Sequence, residues 1–236
     1  MSKIGKKLSQ AMGMIDKVKM YEVDEAIELA KAASFVKFDE SVDVSIKLGV
    51  NPKHADQQVR STVVLPHGTG KKVRIAVFAK GEKALEAEKA GADIVGEKDL
   101  IDKIKAGFLD FDVSIATPDM MKDVGQLGKV LGPRGLMPNP KSGTVTMDIE
   151  RAINDVRLGK IEFRCDSFGI VHSSIGKVSF AIDKLHDNFR AFFLAILKAK
   201  PQTVKGQYVR GVDISTTMGP GIKIDSKIAK KIAEEL

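Results

Sequence analysis

The chain has 236 residues, of which 43% are hydrophobic and 29% charged, and its formal net charge is +7. That length fits one large domain or two small ones, and that balance excludes a disordered chain. The densest apolar run, Ala191–Leu197, is far short of the roughly 20 residues a membrane span needs, the first residues hold no apolar core of signal-peptide length, and the lone Cys165 has no partner for an internal disulfide, so a cytoplasmic, reducing setting is expected.

In chain order, Asp24 is placed to cap a helix over residues 25–33. Val42, Val44, Ile46 and Leu48 then alternate with Asp43, Ser45 and Lys47, the period of a strand with one buried face. Asn51-Pro52 fits a helix N-cap followed by Pro at the first helical position. Val59–Leu65 reads as a second strand, closed by Pro66 and the loop HGTGKK. The middle of the chain changes style. Val73–Ala79 is almost continuously apolar, as in a strand covered on both faces. A helix ending at Gly91, a strand at ADIVG, a helix at DLIDKIKAG and a strand at FDVSIATP follow, and such alternation predicts βαβ units and a parallel sheet.

Leu131–Thr144, LGPRGLMPNPKSGT, holds three prolines, three glycines and two cations. Fixed φ at proline and free φ at glycine rule out regular structure there and predict a stiff, exposed cationic loop suited to a large polyanion. A helix over 148–158 ends at Gly159. Alternation then returns: Ile161–Arg164 and Gly169–Ser174 suit a hairpin, and the helix after Asp183 carries an apolar stripe of Leu185, Phe189, Phe192, Phe193, Ile196 and Leu197 before Pro201 ends it. Gln207–Thr216 reads as a strand running into the turn TTMGPG, and 225–236 as an amphipathic helix. The change of style predicts an α+β domain built from both ends, 1–67 plus 160–236, with an α/β domain, 68–159, inserted into it. The insert carries +1 and the end-built part +6, which assigns the main polyanion contact to the latter.

Catalytic and metal signatures are weak. Gly68-Thr69-Gly70-Lys71 precedes a strand and lacks the full phosphate-loop spacing, so it reads as a linker. His54, His67, His172 and His186 show no metal-ligand spacing, and Cys165 has only a distant His172 as a candidate base. No catalytic residue, metal or cofactor is therefore expected. Phe38, beside Lys37, has two readings: it packs inward with Phe35, or it stacks on a base while the ammonium meets phosphate. Thr216–Gly221 likewise reads either as a plain strand-ending turn or as a small polar surface a partner approaches closely.

Six stretches, residues 37–60, 65–71, 79–93, 131–145, 159–177 and 215–221, resemble the bacterial large-subunit ribosomal protein L-one family, the protein of the mobile side stalk. The resemblance implies an α+β split domain, an open-faced β-α sandwich, with an inserted α/β Rossmann-like three-layer domain. It implies a non-enzymatic ribosomal protein that binds large-subunit rRNA, helps release deacylated tRNA from the exit site, and represses translation of its own operon mRNA. The partners implied are the rRNA, exit-site tRNA, the operon mRNA and the large ribosomal subunit, with no membrane and a monomeric free form. The RNA-contact positions implied are Lys37, Phe38, Ser41, Lys177, Thr217, Met218 and Gly219. Two other readings stay open on residues alone: an enzyme with a nucleotide site in the parallel sheet, and a protein-binding module outside the ribosome.

Overall fold

A computed structural model describes residues 5–16, 18–227, 229 and 231. In chain order the elements are α1 (Lys6–Gly13), α2 (Val23–Ala32), β1 (Ser41–Leu48), β2 (Arg60–Val64), β3 (Ile75–Phe78), α3 (Glu82–Lys89), β4 (Ile94–Gly96), α4 (Lys98–Lys105) and β5 (Val113–Ala116). They continue as α5 (Met121–Val124), α6 (Gly128–Leu131), α7 (Ile149–Arg157), β6 (Lys160–Arg164), β7 (Ile170–Lys177), α8 (Ile182–Lys198), β8 (Val209–Thr216) and β9 (Ile222–Ile224). The mixed α/β chain gathers into two compact units, Met1–Gly70 with Ile161–Leu236, and Lys71–Lys160.

The first unit is built on a four-stranded sheet in the order β7-β1-β8-β9. β1 is antiparallel to both β7 and β8, and β8 is antiparallel to β9. The alternation in β1 is what the sheet needs: Val42, Val44, Ile46 and Leu48 are at most 2% exposed, and Lys47 faces solvent. That buried face joins Ile27 and Ala30 of α2 and Leu185, Phe189, Phe192, Phe193 and Ile196 of α8 in one core. Phe192 meets Phe163 of β6 edge to face at 5.5 Å, a favourable aromatic geometry.

The second unit holds a three-stranded parallel sheet, β4-β3-β5. All four residues of β3 are fully buried because its two faces serve two cores. Ala76 and Phe78 pack with Leu100, Ile101 and Ile104 of α4 and with Val124 and Leu131. Ile75 and Val77 pack with Ala87 of α3 and Ile149, Ala152, Ile153 and Val156 of α7. Continuous apolarity in Val73–Ala79 thus has a direct cause, helices on both sides of the sheet.

Several local expectations change. Helix α2 starts at Val23 with Glu22 at the N-cap, and no side chain caps it; Asp24 sits in the first turn. No helix follows Asn51-Pro52. Asn51 Oδ1 instead accepts the Lys53 N–H at 3.3 Å in a turn that leads to a short 3-10 segment, Ala55–Gln57. The hairpin across Ile161–Ser174 divides between two sheets: β6 pairs with β2, and β7 with β1, leaving one bridge between Cys165 and Val171. Asp166 makes the tight turn between them, accepting from Phe168 and Ile170 N–H groups at 2.9 and 2.8 Å. The segment 131–144 is exposed only in part. Leu131 and Ser142 are buried, Leu136 and Met137 pack on the core, and Ser114 Oγ donates to Leu136 O. Its apolar members outweigh its turn chemistry and draw it inward, leaving Arg134 and Lys141 outside. The amphipathic helix expected over 225–236 falls largely outside the described residues.

Candidate nucleic-acid interface

At one end of the four-stranded sheet, β1 begins, β7 ends and β8 ends. Strand register therefore brings together residues far apart in sequence: Ser41 lies opposite Lys177, and Val42 opposite Thr216. Lys177 Nζ donates to Ser41 Oγ at 3.0 Å and to Asp39 O at 3.3 Å. Ser41 and Thr217 bond reciprocally. The Ser41 N–H donates to Thr217 Oγ1 at 3.0 Å, and the Thr217 N–H donates to Ser41 O at 3.2 Å.

The turn beyond Thr217 is held from below. The Met218 N–H donates to Glu40 Oε1 at 2.8 Å, and Ser34 Oγ donates to Glu40 Oε2 at 2.6 Å. Gly219 N–H closes the turn onto Thr216 O at 3.2 Å. A Cβ built at Gly219 would overlap Thr216 Oγ1, so any larger residue there must displace that side chain or the turn. On the other flank, Asp39 accepts the Ser179 N–H and O–H at 3.0 and 2.8 Å.

All seven sequence-predicted site residues lie on this end or on the segment leading into it. Phe38 is 56% exposed and Met218 52%, whereas Phe35 packs against the core. The inward reading thus holds for Phe35 and fails for Phe38. Lys37 is exposed and, among the described residues, makes no hydrogen bond or ion pair. The product is an aromatic ring, a thioether, two cations and two hydroxyls on a hydrogen-bonded frame. Such a set offers stacking, apolar contact and charge to an extended anionic partner.

Sequence reasoning assigned no supporting role to the frame beneath: Ser34, Asp39, Glu40, Ser179 and Thr216, the last named only within the turn Thr216–Gly221. A signal for two of them was present. The period that turns Val42, Val44, Ile46 and Leu48 inward also turns Glu40 inward, and that of Val212 and Ile214 does the same for Thr216; Glu40 is 1% exposed and Thr216 4%.

Cys165 is 9% exposed, and burial, followed by the neighbouring Asp166 carboxylate, pushes its thiol above the ordinary range, which disfavours the nucleophilic thiolate. His172 does not serve it: its Nδ1 sits 2.9 Å from Ser45 Oγ, and its Nε2 faces Asp166 at 3.6 Å. Gly68-Thr69-Gly70-Lys71 leads into β3 rather than into a helix whose N-terminus meets phosphate. Among the described residues no group of three or more His, Cys, Asp or Glu side chains is placed to hold a metal ion, and no helix is long and apolar enough to cross a membrane.

The model of the ribosomal protein L1p/L10e family matches residues 29–220. The match takes in every residue of the strand-end patch and all of the parallel-sheet unit. The chain therefore belongs to the ribosomal protein L1p/L10e family, whose members are structural RNA-binding proteins of the large ribosomal subunit and not enzymes.

Proposed function

We propose that the unit formed by the two chain ends is the RNA-binding domain, and that Lys37, Phe38, Ser41, Lys177, Thr217, Met218 and Gly219 contact large-subunit rRNA. The reciprocal Ser41–Thr217 bonds carry this reading. They fix a polar surface flanked by two exposed apolar side chains, which a folded RNA meets by shape, by 2′-hydroxyl contacts and by stacking. Backbone order is supplied before binding, so little entropy is lost on association. Lysines add a phosphate term that weakens with salt.

On this reading the protein forms the mobile side stalk, assists departure of deacylated tRNA from the exit site, and represses its own operon mRNA by binding a structure similar to the rRNA site. The parallel-sheet unit, Lys71–Lys160, is the inserted Rossmann-like domain. Thr217→Val keeps the side-chain shape and removes the oxygen that accepts from Ser41. It should weaken binding to the rRNA and to the mRNA site alike by about tenfold, near 1.4 kcal/mol, while circular dichroism remains that of the native fold. An unchanged dissociation constant for rRNA contradicts the assignment. The tRNA role is tested on ribosomes depleted of this protein: release of deacylated tRNA at the normal rate removes it.

A further inference from the structure

A buried carboxylate is an unexpected neighbour for a surface that binds a polyanion. Glu40 is 1% exposed, directly beneath the turn that carries Thr217, Met218 and Gly219. No cation neutralises it among the described residues; both carboxylate oxygens are instead engaged by neutral donors, the Met218 N–H and the Ser34 O–H. Burial of that kind is tolerated when the oxygens are hydrogen-bonded, and such bonds are the stronger, charge-assisted sort.

The strand register explains why a side chain is used here. Between β1 and β8 the last backbone rung donates from Thr217 N–H to Ser41 O. Rungs of an antiparallel pair recur at every second residue, so the backbone of residue 40 faces the other neighbour: its oxygen accepts the Val178 N–H at 2.9 Å, on the β7 side, and offers nothing to the β8 side. The Glu40 side chain supplies the acceptor there, taking the Met218 N–H at 2.8 Å as the chain leaves the ladder. The chain can then leave the sheet and turn back at Gly219 without orphaning the Met218 amide, and the Met218 side chain remains outside.

We propose that Glu40 is the positioning residue of the RNA-contacting turn. Its carboxylate supplies an acceptor that the sheet backbone does not offer at this point and holds the Met218 backbone in the conformation the RNA meets, without touching RNA itself. This inference rests on the reading of that turn as an RNA contact. Its counterpart is that the Met218 N–H is a donor meant for RNA and that Glu40 only competes for it. The two differ in sign. Removing the carboxylate weakens binding in the first case and strengthens it in the second.

The test uses the full chain with a large-subunit rRNA stalk fragment as probe. Glu40→Gln keeps an oxygen for Met218 and an amide that donates to Ser34 Oγ, so affinity should stay within about threefold of the parent. Glu40→Ala should weaken binding about tenfold or more, while the slope of log Kd against log salt is unchanged because no phosphate contact is lost. In the free protein the Met218 amide should be protected from hydrogen exchange in the parent and in Glu40→Gln, and should exchange about a hundredfold faster in Glu40→Ala. If Glu40→Ala does not fold, Ser34→Ala frees only one oxygen and should give a smaller loss of the same amide protection and of affinity. Equal or tighter binding by a folded Glu40→Ala or Ser34→Ala, or a Met218 amide as protected as in the parent, overturns the proposal. Thr217→Val separates the two levels. If that substitution weakens binding and Glu40→Ala does not, the RNA reading stands and Glu40 has no positioning role; if neither does, the RNA reading itself fails.

Discussion

At the scale of single residues, Gly219 and Thr216 form a matched pair. The space a Cβ would fill at Gly219 is occupied by Thr216 Oγ1, a buried oxygen with no hydrogen-bond partner among the described residues. Gly219→Ala should therefore displace the turn and lower RNA affinity about tenfold, whereas Thr216→Ala alone has little effect, and the double substitution recovers most of the loss, a coupling readable in a double-mutant cycle. Losses that simply add across the cycle would show that the two side chains do not compete for one space. Residue-level detail was only partly legible in the sequence. Phe35 and Phe38 lie in a junction with no period, so neither helix nor strand spacing says which one turns outward. Glu40 and Thr216 were legible by parity, as continuations of the inward faces of β1 and β8.

At the scale of elements, α8 does more than bury its aromatic stripe. Asn188, fully buried on it, accepts the His67 N–H at 3.0 Å and donates to Gly68 O at 2.9 Å and to Ile175 O at 2.7 Å. One amide thus ties the segment after β2 to both α8 and β7. Asn188→Ala leaves the buried Ile175 carbonyl and two part-buried groups, the His67 N–H and Gly68 O, without this partner and should lower the stability of this unit by roughly 1–3 kcal/mol, seen as a lower denaturant midpoint; a midpoint unmoved within error would mean that water replaces the amide. Elements with strong periods were readable from the chain. The stripe of α8, the alternation of β1 and the unbroken apolar run of β3 each report one local environment, one buried face or two. Partners were not readable. That β6 pairs with β2, and β7 with β1, depends on contacts across more than a hundred residues, which no local window contains. The 131–144 segment misled because proline and glycine content speaks to conformation, while Leu131, Leu136 and Met137 decide burial.

At the scale of the whole molecule, charge and shape act separately. Met1–Gly70 with Ile161–Leu236 carries 22 Lys+Arg against 17 Asp+Glu, and Lys71–Lys160 carries 16 against 14, so the excess lies mainly in the first unit. The excess is modest, and the strand-end patch contributes few cations: Lys37 makes no hydrogen bond or ion pair among the described residues, while Lys177 is already bonded to Ser41 and Asp39. Lys37→Ala should then reduce the slope of log Kd against log salt by about 0.7–0.9, the value of one phosphate contact, with the specificity for rRNA over random transcripts preserved. A slope that does not move would place Lys37 away from phosphate.

The position of β1 in the sheet has a consequence for manufacture. It is among the first strands to leave the ribosome, yet both of its neighbours come from residue 170 onward. A growing polypeptide cannot display the Ser41–Thr217 junction until Thr217 has emerged. On the proposed RNA reading, a copy interrupted before that point lacks the assembled patch and stays silent toward RNA.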